Sequence, residues 1–238
     1  MSNDTKLYSL SGQPIYKHEN QKEFEIADMS DSSVERIEEH FEKNFGKVKN
    51  VFHEIISDKV HIDVHVIEPS EEQNYYIIFT TGMSDKPMNV PDGREEYQYC
   101  EIYMFLPKEW KMSQENMNDD KNFWPIGNLK SLARMPHQYD TWLAVGHTVA
   151  NGDPAEPYAE NTKLCCSMLT YPIMGKEGFD KLKIREDKVI NFYYVFPLFK
   201  EEMDFKLKKG MDELLDKFDN KKIGPVLNIK RKNAVKWF

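Results

Sequence analysis

Cysteine is scarce in this chain: three residues in 238, at Cys100, Cys165 and Cys166. The number is odd, two are adjacent and no Cys-x-x-Cys occurs. That argues against a disulfide framework and against a cysteine-based zinc site, and Cys165 and Cys166, in an apolar run, read as core thiols. No apolar run approaches the length that spans a bilayer. Met1-Ser2-Asn3-Asp4-Thr5 offers neither a basic segment nor an apolar one, so no signal peptide is expected and the cytoplasm is the expected location. Positive charge is in deficit: 32 Lys and Arg against 40 Asp and Glu give a net charge of -8. That disfavours nucleic acid and anionic membrane surfaces and suits a basic partner. Walker A, Gly-x-Gly-x-x-Gly and Gly-x-Ser-x-Gly patterns are all missing, as are internal repeats and low-complexity tracts.

What is present suffices for a core. Hydrophobic residues make up 40% and aromatics 13% of the chain, and this length fits one large domain or two small ones. The clearest pattern is His61-Ile62-Asp63-Val64-His65-Val66. On a strand, successive side chains point to opposite faces. Ile62, Val64 and Val66 therefore share an apolar face, and His61, Asp63 and His65 share a polar one.

Around this stretch the chain divides as follows. Residues 1–30 read as an N-terminal arm. Ser32-Ser33-Val34-Glu35 reads as a capping box opening a helix with Val34, Ile37, Phe41 and Phe45 on one side and Gly46 as its stop. Strands are expected at Val51–Ile56, Val60–Ile67, Tyr75–Thr81 and Tyr99–Leu106, the first two joined near Ser57-Asp58-Lys59. Short connections point to an antiparallel meander. Residues 107–123 read as an exposed insertion. Trp124-Pro125 opens a helix that Pro136 ends. A long loop, 146–160, precedes a strand or core segment at Lys163–Thr170, and residues 174–187 are charged and glycine-punctuated. Lys188–Phe196 is a strand ended by Pro197. One helix covers roughly 199–218, weakened by Gly210. A tail, 221–238, carries Lys230-Arg231-Lys232 as an exposed basic terminus. The expected class is one α+β domain over 31–220, a mixed, largely antiparallel sheet packed with helices.

The polar face His61, Asp63 and His65 is a candidate metal site, since imidazole and carboxylate suit zinc or iron. His61 and His65 are four residues apart, about 13 Å along a strand, so all three cannot reach one ion. A pair joined by His147 from the long loop could. The competing reading is a polar sheet face in which Asp63 bonds an imidazole, and this reading is favoured. Hydrolysis by Asp63, Asp92, His147 or Asp153 would need paired groups that the sequence does not show. Tyr75, Tyr76, Tyr97, Tyr99 and Tyr103 cluster around two adjacent strands and fit a recognition surface, although aromatics also simply favour strands.

The order of landmarks resembles the suppressor-of-fused family domain. The resemblance rests on Ile77-Ile78-Phe79-Thr80-Thr81-Gly82-Met83-Ser84 and Cys100-Glu101-Ile102-Tyr103-Met104-Phe105-Leu106-Pro107. It continues with Trp124-Pro125, Leu132-Ala133-Arg134, Gly146-His147-Thr148, Asn151-Gly152 and Leu169-Thr170, and ends with Phe192–Phe218 including Glu201-Glu202. It implies a non-catalytic protein-binding domain with no cofactor. Animal members resemble two-domain clamps that hold a peptide by strand addition; bacterial relatives are associated with polymorphic toxins as immunity proteins. The chain matches the first domain, so the bacterial single-domain type is expected. The resemblance places Asp92 on the partner-binding surface, and Asp85, Tyr97 and Tyr99 are the other candidates there. The expected partner is a protein, such as a basic toxin domain. A metal-dependent enzyme and a strand-accepting scaffold are the alternatives.

Overall fold

The computed structural model describes residues 7–18, 21–28, 30, 32–55 and 57–236. Met1–Thr5 and the Ile56 strand end lie outside them. Among the described residues, ten strands and four α-helices follow one another. A small hairpin, β1 (Leu7–Tyr8) and β2 (Pro14–Ile15), precedes α1 (Val34–Phe45). Next come β3 (Val48–Phe52), β4 (Asp63–Ile67), β5 (Tyr75–Thr81) and β6 (Cys100–Pro107). Then follow α2 (Asp120–Tyr139), β7 (Thr148–Ala150), β8 (Cys166–Thr170), β9 (Lys181–Arg185), β10 (Lys188–Leu198), α3 (Lys200–Lys209) and α4 (Met211–Asn220). The class is α+β.

The main sheet runs β3-β4-β5-β6-β10-β8-β7, with β9 added to β10. The expected meander forms β3 to β6. Mixed character comes from one pair: β10 lies parallel to β6 and antiparallel to β8 and β9. Both faces are covered. Ile62, Val64, Val66, Ile102, Met104 and Leu106 face α2 through Ile126, Leu129, Leu132 and Ala133. Ile77, Phe79, Tyr103, Phe105, Phe192 and Tyr194 form the second core with Ile37 and Phe41 of α1, Met203 of α3, and Leu214 and Phe218 of α4. The Phe41 and Phe79 rings stack at 3.8 Å. The three cysteines are buried free thiols.

Several boundaries differ from the sequence expectation. The capping box does not form: Ser33 is the cap of α1, with no side-chain cap bond. α2 begins before Trp124-Pro125, because Asp119 accepts the Lys121 N–H at 2.9 Å and caps it. Pro125 and Pro136 both lie inside this helix, which ends at Asp140 in the left-handed region. The 107–123 segment is not simply exposed. Trp110, Met112 and Met117 pack against the core, and Trp110 Nε1 donates to the Asn122 carbonyl. Gly210, at φ +100°, does not merely weaken a long helix; it separates α3 from α4. Residues 174–187 contribute β9. Pro197 continues β10, at a point beyond Tyr194 where β6 no longer pairs with it, so its missing N–H is tolerated.

The tail is docked rather than free. Leu227 N–H donates to the Phe105 carbonyl at 2.9 Å, and Leu227 and Ala234 are buried. Arg231 forks onto Glu202 with two 2.6 Å bonds and lies over the Phe199 ring. Glu202 also accepts the N–H groups of Phe199 and Ala234. The basic run is therefore not wholly exposed. The described part of the arm is likewise pinned, to Leu207, Gln138 and Lys59 in turn.

Candidate functional site

The His61–Val66 stretch delivers its residues to three surroundings. Ile62, Val64 and Val66 enter the α2-side core as the alternation requires. His65 is covered by α1 and is 2% exposed. Its Nε2 lies 2.8 Å from Thr81 Oγ1, its Nδ1 2.8 Å from Glu38 Oε1, and its ring stacks on Phe79 at 5.0 Å. Burial drives its pKa down to about 4, so it is neutral near pH 7. Burial raises the Glu38 carboxyl instead, with Glu42 and Glu35 adding to the rise.

Asp63 opens β4, and His61 precedes it. There the structure brings in a residue that sequence reasoning missed, His53. His53 Nδ1 lies 2.8 Å from Asp63 Oδ2, and His61 Nε2 lies 3.1 Å from Asp63 Oδ1. The three donor atoms all fall within 4.8 Å of one another. Ser57 Oγ is 2.6 Å from His61 Nδ1, and the Glu54 N–H donates to Asp63 Oδ1 at 3.1 Å. Glu54 is held in turn by Arg134 of α2 and by the Ile62 N–H. A signal for His53 was available: β3 and β4 pair Val51 with His65 and Phe52 with Val64. Carrying that register one step further sets His53 opposite Asp63.

His147 does not join this group. It precedes β7, at the far edge of the sheet from β3 and β4. Its ring meets Trp142 edge-on at 4.6 Å, and Trp142 in turn contacts Tyr97 at 6.1 Å. Burial, with Lys206 assisting, lowers His147 to a pKa of about 4. The partner-binding candidates thus gain two neighbours, Trp142 and His147.

The remaining candidates sit on the connection between β5 and β6. Asp92 is exposed in its middle, and Tyr97 and Tyr99 are half-buried at its end. Lys188 lies over the Tyr99 ring at 5.4 Å. The Asn191 side chain donates to the carbonyls of Glu96 and Tyr99, which fixes the connection to β10. Asp85 is 9% exposed, so it is more part of the interior than of the surface. Of the other tyrosines, Tyr103 is fully buried and donates to the Ile173 carbonyl at 3.0 Å; it belongs to the core, not to a recognition face. Gly82 opens the β5–β6 connection at φ +95°, where a Cβ would stand 1.8 Å from the His61 carbonyl oxygen. Only glycine fits there.

The opposite edge offers a different feature. Beside β3, a pocket of about 220 Å³ is lined by Asn50, Phe52, Val66, Glu68, Tyr76, Met112 and Ser113. Among the described residues β3 pairs with β4 alone, which leaves one side of its backbone without a strand partner there.

Comparison with known proteins places this geometry. The family described as Suppressor of fused protein (SUFU) matches residues 58–232. A protein of Ureaplasma parvum serovar 3, described as the uncharacterized protein UU111, is 24% identical over 198 residues, covering 82% of this chain and 91% of that one. Among solved structures, a SUFU homologue from Neisseria gonorrhoeae superposes with a TM-score of 0.62 at 18% identity, covering 86% of this chain and 97% of that one. The Sufu-Fu complex superposes with a TM-score of 0.60 at 13% identity, covering 86% of this chain and 93% of the matched one.

Proposed function

Because this chain belongs to the suppressor of fused family, we propose that it is a non-enzymatic domain that binds and neutralises a protein partner, a basic toxin domain. Family membership is the observation that carries this reading. A relative of the same fold is known in the Sufu-Fu complex, and bacterial members are associated with polymorphic toxins. The net charge of -8 supports a basic partner through electrostatic steering. The recognition surface in this reading is the β5–β6 connection, with Asp92 at its tip and Tyr97 and Tyr99 at its base, extended by Trp142 and His147. Aromatic residues next to a polar rim suit an interface. Asp85, 9% exposed, lies within the same connection. Three free thiols and a helix set in which none of the described residues forms a span long and apolar enough to cross a membrane are in keeping with a reducing, cytoplasmic setting.

The test is to co-express the chain with the product of its adjacent coding sequence. A stoichiometric complex on size-exclusion chromatography, with protection of cells from that product and no turnover, is expected. Absence of both complex and protection defeats the immunity reading. Strand addition at β3 is the second reading, favoured by the open edge and the pocket beside it.

A further inference from the structure

We propose that His53, His61 and Asp63 form a binding site for one divalent transition-metal ion of the zinc class. This goes beyond partner binding and does not depend on it. Two imidazoles and one carboxylate make a donor set suited to zinc, cobalt or nickel.

The geometry supports it in three ways. First, His53 Nδ1, His61 Nε2 and the Asp63 oxygens converge within 4.8 Å. Zinc bonds of about 2.0–2.1 Å place neighbouring tetrahedral donors about 3.3 Å apart. The contacts of 2.8 and 3.1 Å, made to different Asp63 oxygens, open slightly toward that spacing as the donors, up to 4.8 Å apart, draw in around an ion. Second, the outer contacts are those that metal ligands require. His61 Nδ1 has Ser57 Oγ at 2.6 Å, so donation of the Nδ1 proton to Ser57 leaves Nε2 with its lone pair toward the site. The Glu54 N–H orients the Asp63 carboxylate from the side. Third, Asp63 presents one carboxylate oxygen to each imidazole, so both rings turn a nitrogen toward the same carboxylate.

The site is built on a held loop. Glu54 ties the loop to α2 through Arg134 and to the residue before β4 through the Ile62 N–H. His53 is 68% exposed at its side chain, so the ion would keep a position open to solvent. His65 and His147, which sequence spacing suggested as ligands, are excluded by their places under α1 and beside β7.

Isothermal titration of the chelator-treated full chain with zinc chloride tests the site. One ion per chain is expected, with affinity at least about tenfold weaker in His53→Ala and unchanged in His18→Ala. Cobalt chloride should give visible absorption bands of tetrahedral type that His53→Ala loses. His53 is exposed, so that variant remains folded, which circular dichroism verifies. Failure to bind zinc, or equal binding by His53→Ala and the parent chain, would falsify the site and leave the group as a hydrogen-bonded loop tether. Neither result bears on partner binding, which the co-expression test decides separately.

Discussion

Buried histidines are the residues whose chemistry depends most on their place. His137 is 9% exposed and its Nε2 lies 2.9 Å from the Met83 carbonyl. Burial lowers its pKa to about 4, against an ordinary value of 6.5. The unfolded chain therefore takes up a proton near pH 6.5 and the folded chain only near pH 4. Between these values the unfolded state binds more protons, so this contribution to stability is full above about pH 6.5 and is lost as pH falls toward 4. Buried carboxyls such as Glu101, raised by desolvation, act in the opposite sense. A variant comparison isolates the histidine: His137→Gln should show a smaller fall in urea midpoint between pH 7 and pH 5 than the parent chain. Equal falls would show that His137 is not the titrating group. Glu101 is itself held by Thr80 Oγ1 and by the N–H and hydroxyl of Ser84, all on the β5–β6 connection or the end of β5. Its counterpart is Glu202, which accepts four hydrogen bonds from three residues.

At the scale of elements, the C-terminal tail and the helix pair are joined by that glutamate. Glu202 stands at the third position of α3, where its carboxylate reaches back to the Phe199 N–H. Its other contacts, Arg231 and the Ala234 N–H, come from the tail. Arg231 packs over Phe199 at 4.7 Å and near Phe218 and Phe196, so it contributes stacking as well as charge. Removing one partner leaves a buried carboxylate uncompensated. Arg231→Ala should therefore destabilise by about 3–5 kcal/mol, measured by urea denaturation, and Arg231→Lys should fall between it and the parent chain because lysine cannot fork. Matching midpoints for Arg231→Ala and the parent would show the tail to be energetically idle. Periodicity alone suggested one helix here. The register of apolar residues survives the break, but Gly210 at φ +100° leaves the helical region and lets α4 turn Leu214 and Phe218 onto the sheet.

On the scale of the whole molecule, a sheet covered on both faces leaves its rims and edges for function. The rim that carries Asp92, Tyr97, Trp142 and His147 and the edge at β3 lie apart, and the His53 group lies at the β3–β4 end. Partner binding through the first of these predicts a split between two variants. Tyr97→Ala should weaken the complex by at least about 2 kcal/mol, roughly thirtyfold. Asp92→Ala should mainly slow association and reduce its dependence on salt. Both should melt within a few degrees of the parent, since Asp92 is exposed and Tyr97 half-buried. Unchanged binding in both would move the interface elsewhere, with the β3 edge as the next place to look.

How much of this was legible beforehand differs by feature. The sequence alone determined that β4, β5 and β6 exist, because alternation and β-branched runs dictate strands. Its ordered landmarks were also enough to suggest the family. It could not show that the His61, Asp63, His65 face would be divided. That depended on α1, distant along the chain, settling over His65 while Asp63 met His53 and His61. Nor could it show that His147 belongs with Trp142, because β7 is added at the far edge through β8. Pro125 and Pro136 looked like helix limits by local rules, yet packing against the sheet holds α2 through both. Local pattern fixes which way a side chain points. Only tertiary packing decides what it meets there, since long-range pairing and burial outweigh the small local preferences.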